Sequence, residues 1–173
     1  MAPIIYDRSE SGLKPANSDS FGLLGEIQAF TFHHTAGPRA DSKARCQELN
    51  RQYQLQHISQ GWGDIGYHFC MDDHGRIYKL RNVRYKGAHV GGWNTGNVGL
   101  TIHGNYMIHS LNEAQRETIE WIFKGGLYVL TNEPEAGYRV VRTHREWPNH
   151  TSNLCPGTNA QRHIAWRRSV DFK

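Results

Sequence analysis

The sequence has few cysteines, no long apolar run and no low-complexity segment. Its 173 residues include three cysteines, an odd number without framework spacing, so a disulfide scaffold is not predicted. No apolar run approaches the length of a membrane span. Residues 1–25 lack the basic and apolar segments that are typical of a signal peptide. The length and the 38% hydrophobic content indicate one ordinary globular domain with a real core.

The charge of the chain is moderately basic, with a formal net value of +4 and a pI near 9.1. This balance weakly favours anionic partners, such as bacterial wall polymers or nucleic acid. Much of the charge lies near the C-terminus, at Arg162, Arg167, Arg168 and Lys173. A solvated helix face explains these residues as well as a binding patch does.

The hydrophobic pattern alternates between strands and helices. It predicts strands at 26–35, 67–71, 76–81, 98–102 and 138–142, with a hairpin turn at 72–75. It predicts helices from Asp41 or Ser42 to about 57, at about 110–130, and at 158–170. Ser110 and Glu113 have the spacing of a capping box. This alternation favours an α/β domain with a mixed central β-sheet flanked by helices. Residues 1–25 are interpreted as an irregular surface arm.

A thiol and two imidazoles form a candidate metal site. Cys155 precedes Pro156 and a predicted helix, where the helix dipole is expected to lower a thiol pKa. His144 lies eleven positions earlier, and His33 ends a predicted strand. Two imidazoles and one thiolate are typical of an open, catalytic zinc site with its fourth position left for water. Among eleven histidines such a trio also arises by chance, which would leave a buried histidine and an inert cysteine.

The other two cysteines, Cys46 and Cys70, fall in a predicted helix and a predicted strand. We interpret both as small buried hydrophobes rather than ligands.

Four motifs occur in a fixed order along the chain. They are His33-His-Thr-Ala-Gly37, Gly61-Trp-Gly-Asp-Ile-Gly-Tyr-His-Phe69, Gly87-Ala-His89 and His144…Cys155-Pro-Gly157. Together they resemble the zinc-dependent N-acetylmuramoyl-L-alanine amidases. The fold of these amidases is shared by phage endolysins and peptidoglycan recognition proteins. The resemblance covers about residues 26–166 and implies a catalytic domain at 26–173 that binds one zinc ion.

The resemblance implies roles for individual residues. His33, His144 and Cys155 correspond to the zinc ligands. Tyr67 corresponds to a catalytic tyrosine near the metal, which orients or helps to deprotonate a water. The expected substrate-binding residues are His34, Trp62, His68, His89, Trp93 and Asn94.

Two departures from the family pattern concern the oxyanion donor. The loop before Cys155 is longer than usual and contains Pro148 and His150. The phage enzymes have a catalytic lysine where this chain has Asn153. Asn153 is a candidate donor to the oxyanion, and His150 is a candidate donor or a competitor of His144 as ligand. We favour His144 as the ligand because it keeps the family's His-x-Glu form.

The resulting expectation is a peptidoglycan hydrolase that cleaves the amide between N-acetylmuramic acid and L-alanine. We expect a phage endolysin, monomeric, held in the host cytoplasm before its release to the wall. One alternative is a recognition module that binds peptidoglycan without cutting it. A second is a zinc-stabilised nucleic-acid binder, for which the basic C-terminus alone is thin support. The expected partner is therefore peptidoglycan, with no nucleic acid and no membrane span.

Overall fold

The computed structural model describes residues 1–16, 21–132 and 140–171. Within these ranges the strands are β1 Ile5–Tyr6, β2 Ala29–His34, β3 Phe69–Met71, β4 Ile77–Lys79, β5 Asn97–Ile102 and β6 Val140–Thr143. The helices are α1 Lys43–Ser59, α2 Glu113–Trp121, α3 Leu127–Thr131 and α4 Thr158–Asp171. No helix among the described residues is both long and apolar enough to cross a bilayer.

The strands form one six-stranded sheet in the order β1-β4-β3-β5-β2-β6. Strands β3, β5, β2 and β6 run parallel, whereas β4 is antiparallel to β3 and β1 is parallel to β4. The predicted mixed sheet flanked by helices is confirmed. Because parallel strands end at the same edge, the residues that follow β2 and β6 are brought together there.

The two faces of the sheet differ in character because side chains alternate along a strand. One face packs its apolar side chains against α2, α3 and α4. The strand residues of that core are Phe30, Phe32, Phe69, Met71, Val98, Leu100 and Ile102. On the other face Cys70, Thr101 and His33 stand side by side on β3, β5 and β2. Helix α1 packs on this second face and brings Cys46 and Leu49 to Cys70.

The interpretation of residues 1–25 as an irregular surface arm is wrong for their described part. Strand β1 pairs with Ile77 and Tyr78 of β4 and forms an edge of the sheet. Leu24 is buried, and its N–H donates a hydrogen bond to the Arg84 carbonyl. A two-residue strand is too short to produce an alternating pattern. The boundary at residue 26 therefore does not separate an arm from the domain.

Helix boundaries differ from prediction at the α2 capping box. Asn112 accepts from Gln115 N–H, and the Gln115 side chain accepts from Asn112 N–H, so the box lies two residues later than Ser110 and Glu113. The predicted continuous helix to residue 130 is broken at Gly125, whose φ of 110° interrupts the segment Ile122–Gly126. Residues 138 and 139 of the predicted fifth strand lie outside the described residues.

Candidate metal centre

The side chains of His33, His144 and Cys155 converge at one edge of the sheet. One ligand atom of each lies within 4.8 Å of the others. The Cys155 Sγ atom is 3.6 Å from His33 Nδ1. We call these three residues the open cluster, since it faces a cleft.

The local structure explains why His144 lies beside His33. Parallel pairing of β2 with β6 ends at Phe32 and Thr143, and a 3-10 turn begins at His144. Glu146 closes this turn by accepting hydrogen bonds from the backbone N–H and the hydroxyl of Thr143. Arg168 of α4 forms a two-pronged ion pair with Glu146 at 2.7 and 2.8 Å. Such bidentate pairs fix geometry as well as charge, so the turn that carries His144 is anchored to α4.

A second histidine and a carbonyl fix the ring of His33. The Nε2 atom of His33 is 3.1 Å from His89 Nδ1, and His89 Nε2 is 3.0 Å from the Asn97 carbonyl oxygen. A carbonyl only accepts, so His89 Nε2 carries a proton and its Nδ1 accepts from His33 Nε2–H. His33 Nδ1 therefore presents its lone pair to the cluster.

The ring of His144 is fixed in the same way. Its Nε2 atom lies 3.1 Å from His150 Nδ1, and His150 Nε2 lies 2.9 Å from the Gly91 carbonyl oxygen. By the same reasoning His144 Nδ1 is the unprotonated nitrogen. This arrangement places His150 behind His144 and excludes it as a competing ligand. Both ligand histidines thus have an oriented outer partner of the kind that metal sites require.

Burial sets the ionisation of the open cluster. It lowers the pKa of His33 well below its usual value and that of His144 to about 4, so both imidazoles are neutral near pH 7. Burial also raises the pKa of the Cys155 thiol to about 12, although His34 N–H and Arg145 oppose this shift. The expected lowering at a helix start is wrong, since α4 begins three residues later, at Thr158. Two neutral imidazoles and a thiol that must lose its proton on binding fit a zinc ion.

A cleft of about 520 Å³ opens over the cluster. Its lining includes His57, Trp62, Tyr67, His89, Asn94, His144, His150 and Asn153. The Tyr67 ring centroid lies 5.2 Å from that of His33. Burial, and then the nearby Cys155, raise the pKa of Tyr67. At neutral pH Tyr67 is therefore a protonated hydrogen-bond donor rather than a base.

Arg81 holds the wall of the cleft that carries Trp62. Its guanidinium is almost fully buried and donates to backbone carbonyls on both sides of the wall. The acceptors are the carbonyls of Trp62, Asp64, Ile65 and Lys86. Gly66 lies so close to the opposite segment that a Cβ atom there would be 2.2 Å from the Ala88 oxygen.

Asn153 lies on the loop that brings Cys155 to the cluster. Its Oδ1 atom accepts from Cys155 N–H at 2.7 Å. Since Oδ1 is used in this way, the group with which Asn153 can address a substrate is its Nδ2 donor.

Three residues predicted to bind substrate have other positions. His34 points to the opposite side of β2 from His33, and its Nδ1 accepts from Tyr106 N–H. His68 is fully buried, with Nδ1 accepting from Gly99 N–H and Nε2 bonded to the Tyr85 carbonyl. The assignment of His34 and His68 as substrate contacts is therefore wrong. Trp93 is 41% exposed and packs on Trp147 outside the cleft lining.

Two other predicted contacts, His89 and Asn94, line the cleft but also hold it together. His89 supports His33, and Asn94 Oδ1 accepts from the backbone N–H groups of His89 and Val90.

The sequence reasoning missed His57, which lies near the end of α1 and lines the cleft. Its Nδ1 accepts from Gly66 N–H at 2.9 Å, so its Nε2 carries the proton. Its ring packs on Trp62 with centroids 4.7 Å apart. The one available signal was its position just before the Gly61-Trp62 motif.

Two of the four basic residues near the C-terminus are paired with acids, and Lys173 lies outside the described residues. Arg168 is bound to Glu146, and Arg167 lies 3.3 Å from Glu120. This pairing counts against a nucleic-acid surface on α4.

Comparison with known proteins places the chain in a family context. The family model described as N-acetylmuramoyl-L-alanine amidase matches residues 24–158. Peptidoglycan-recognition protein SC2 of Drosophila simulans is 33% identical over 156 residues, covering 90% of this chain and 81% of that protein. The human N-acetylmuramoyl-L-alanine amidase is also 33% identical, covering 89% of this chain but 30% of its own length.

A solved structure agrees with these matches. The ectodomain complex of peptidoglycan recognition proteins LCa and LCx, with tracheal cytotoxin bound, superposes with a TM-score of 0.79 at 27% identity. The match covers 93% of this chain and 94% of the other.

Proposed function

Because this chain belongs to the N-acetylmuramoyl-L-alanine amidase family, we propose that it is a zinc-dependent peptidoglycan hydrolase. It would cleave the amide bond between N-acetylmuramic acid and the L-alanine of the stem peptide. The observation that carries the proposal is the complete open cluster, His33, His144 and Cys155, beside a cleft that His144 lines.

The three ligands match the requirement of a catalytic rather than a structural site. Catalytic zinc sites use three protein ligands and keep one position open, and this set brings two imidazoles and one sulfur together beside the cleft. A zinc ion held there supplies a Lewis acid and lowers the pKa of a bound water to about 7.

The remaining chemistry falls to the residues of the chain. Tyr67, kept protonated by burial, donates a hydrogen bond to the developing charge or a proton to the departing amine. Asn153 contributes its Nδ2 donor from the loop before Cys155. Both ring nitrogens of His150 and of His89 are engaged, so these histidines position the ligands rather than transfer protons.

The test is mass spectrometry of purified peptidoglycan digested by the wild type, by Cys155→Ser and by a chelated sample. We expect intact stem peptides with a free L-alanine amine from the wild type alone. Products of cleavage at a glycosidic bond or at a peptide crosslink would contradict the amidase assignment.

The alternative function is a recognition module that binds peptidoglycan without cleavage. The observation that favours it is Asn153, which lacks the charge of the family's lysine. Pelleting of the zinc-loaded chain with peptidoglycan, with no products released over a day, would establish this alternative. If Cys155→Ser also binds peptidoglycan, the absence of cleavage is not explained by a misfolded protein.

The finer assignment as a phage endolysin, held in the host cytoplasm until release, stays a prediction. It is tested by cytoplasmic expression in bacteria with and without a separately induced pore-forming protein. Lysis that depends on the pore-former supports it, whereas efficient secretion of the unaltered chain contradicts it.

A further inference from the structure

A second set of thiol and imidazole groups lies under α1. It consists of Cys46 on α1, Cys70 on β3 and His103 just after β5, and we call it the buried cluster. All three side chains are fully buried. One ligand atom of each lies within 4.8 Å of the others, as in the open cluster.

The distance between the two sulfur atoms is the first observation that indicates a metal. The Sγ atoms of Cys46 and Cys70 are 3.8 Å apart. Two bonds of about 2.3 Å from one zinc ion at a tetrahedral angle place their sulfur atoms about 3.8 Å apart. A disulfide bond would instead hold them at about 2.05 Å.

The state of His103 is the second observation. Its Nε2 lies 2.9 Å from Asn50 Oδ1, and the Asn50 amide is oriented by its own hydrogen bond to the Ser11 carbonyl. His103 Nε2 is therefore the protonated nitrogen, and Nδ1 has the lone pair. Within the described residues this buried Nδ1 atom has no hydrogen-bond partner. A buried lone pair without a donor is costly, and a metal ion would satisfy it.

One amide side chain, that of Asn50, lies against both sulfur atoms. The Cys46 Sγ atom lies 3.8 Å from Cys70 Sγ and within 4.8 Å of a ring nitrogen of His103. Asn50 contacts both sulfur atoms, with Oδ1 3.1 Å from Cys70 Sγ and Nδ2 3.7 Å from Cys46 Sγ. Two thiolates and a divalent ion together carry no net charge, which removes most of the cost of burying them.

We propose that Cys46, Cys70 and His103 bind a second metal ion of the thiophilic type, enclosed by the fold, with Asn50 as their orienting partner. Zinc is the probe, since soft thiolate ligands with imidazole select zinc or copper(I). This ion would join α1 to β3 and to the end of β5. The inference does not depend on the amidase chemistry, because it concerns a site outside the cleft.

The test is the zinc content of the intact, folded chain after loading and desalting. We expect two zinc ions per wild-type chain, one in Cys155→Ser, one in Cys46→Ser and none in the double variant. A wild type with one ion and a Cys155→Ser variant with none would overturn the proposal. Should Cys46→Ser fail to fold, His103→Gln keeps both thiols and a similar volume, and its expected content is again one.

Cobalt(II) gives a readout that is independent of stoichiometry. In Cys155→Ser, the buried cluster alone should give thiolate-to-cobalt charge-transfer absorption, and the double variant should lose it. Absence of this absorption from a folded Cys155→Ser protein contradicts the proposal.

Counting free thiols after denaturation tests the rival chemistry. A metal site predicts three alkylated cysteines in protein purified in air. One alkylated cysteine, with no second zinc, would identify a Cys46–Cys70 disulfide and overturn the proposal.

Discussion

The open cluster and the buried cluster are built from the same two kinds of side chain on the same face of the sheet. They differ in what surrounds them. His144 and Cys155 are partly exposed and His144 lines the cleft, whereas the side chains of Cys46, Cys70 and His103 are completely buried. Solvent therefore reaches the open cluster and does not reach the buried one.

The comparison teaches that ligand type alone does not decide the role of a thiol–imidazole site. A catalytic site needs an unfilled coordination position that solvent can reach, whereas a metal ion enclosed by the fold has no such access. Here the loops at the end of the sheet determine whether solvent reaches the open cluster. The packing of α1 determines whether solvent reaches the buried cluster. Variants that affect one cluster and spare the other test this division.

The largest effect is expected for Cys155→Ser. Loss of a zinc ligand should lower the rate of peptidoglycan hydrolysis by on the order of a thousandfold. The unfolding temperatures of the zinc-free proteins should differ little, because the metal that Cys155 holds is then absent from both. The matched variant Cys46→Ser should lower stability while its folded fraction keeps hydrolysing. An equal loss of hydrolysis rate per folded molecule in both variants would contradict the division of roles between the two clusters.

Acid should destabilise the protein through the buried histidine His68. Burial lowers the pKa of His68 to about 4, against about 6.5 in an unfolded chain. Between these values the unfolded state binds more protons, so stability falls as the pH drops from 6.5 to 4. The contribution of His68 is at most about 3 kcal/mol. Urea unfolding from pH 7 to 4 should show a smaller loss for His68→Gln than for the wild type; parallel curves would contradict this role.

Tyr67→Phe should lower kcat by about a hundredfold and leave KM nearly unchanged. The hydroxyl is lost, but the ring keeps its packing beside His33. Zinc content and unfolding temperature serve as controls, and both should equal those of the wild type. A wild-type kcat would show that Tyr67 is only part of the cleft wall.

His150→Ala should weaken zinc binding at the open cluster by tenfold to a hundredfold, since it removes the partner that orients His144. Competition with a chelator measures this constant. Thr151→Ala, at the neighbouring exposed position, is the matched control and should bind as the wild type does. Equal affinity in both variants would mean that the loop backbone alone positions His144.

The sequence predicted most of the regular structure. Strands β2 and β5, the β3–β4 hairpin and helices α1 and α4 were all predicted, and the predicted cap Ser42 is the cap of α1. Strand β1 was missed because its partner, β4, lies about seventy residues away and two residues carry no period. The break at Gly125 was missed because glycine within an otherwise helical pattern is often tolerated.

The residues of the candidate site were predictable where they lie within a recognisable motif. The ligand set came from the motifs, and parallel pairing of β2 with β6 explains its convergence. The orientation of His34 could have been predicted, because side chains alternate along β2 and His34 lies on the opposite face from His33. The orientation of His68 could not, because it depends on contacts of its ring with Gly99 and Tyr85 that only the fold brings about. The buried cluster was invisible, since Cys46, Cys70 and His103 are each unremarkable in their local sequence and meet only through the fold.

The side-by-side placement of Cys70, Thr101 and His33 on adjacent strands has a consequence for folding accuracy. Strands lie about 4.8 Å apart, so Thr101 is the single residue between the two clusters, roughly 10 Å from one to the other. A slip of β5 by one residue would turn Thr101 over, put Leu100 or Ile102 in its place and misdirect His103. Both clusters are therefore assembled by the same strand register, and a misregistered chain could complete neither. Metal content would then distinguish molecules with correctly paired strands from compact molecules with mispaired strands.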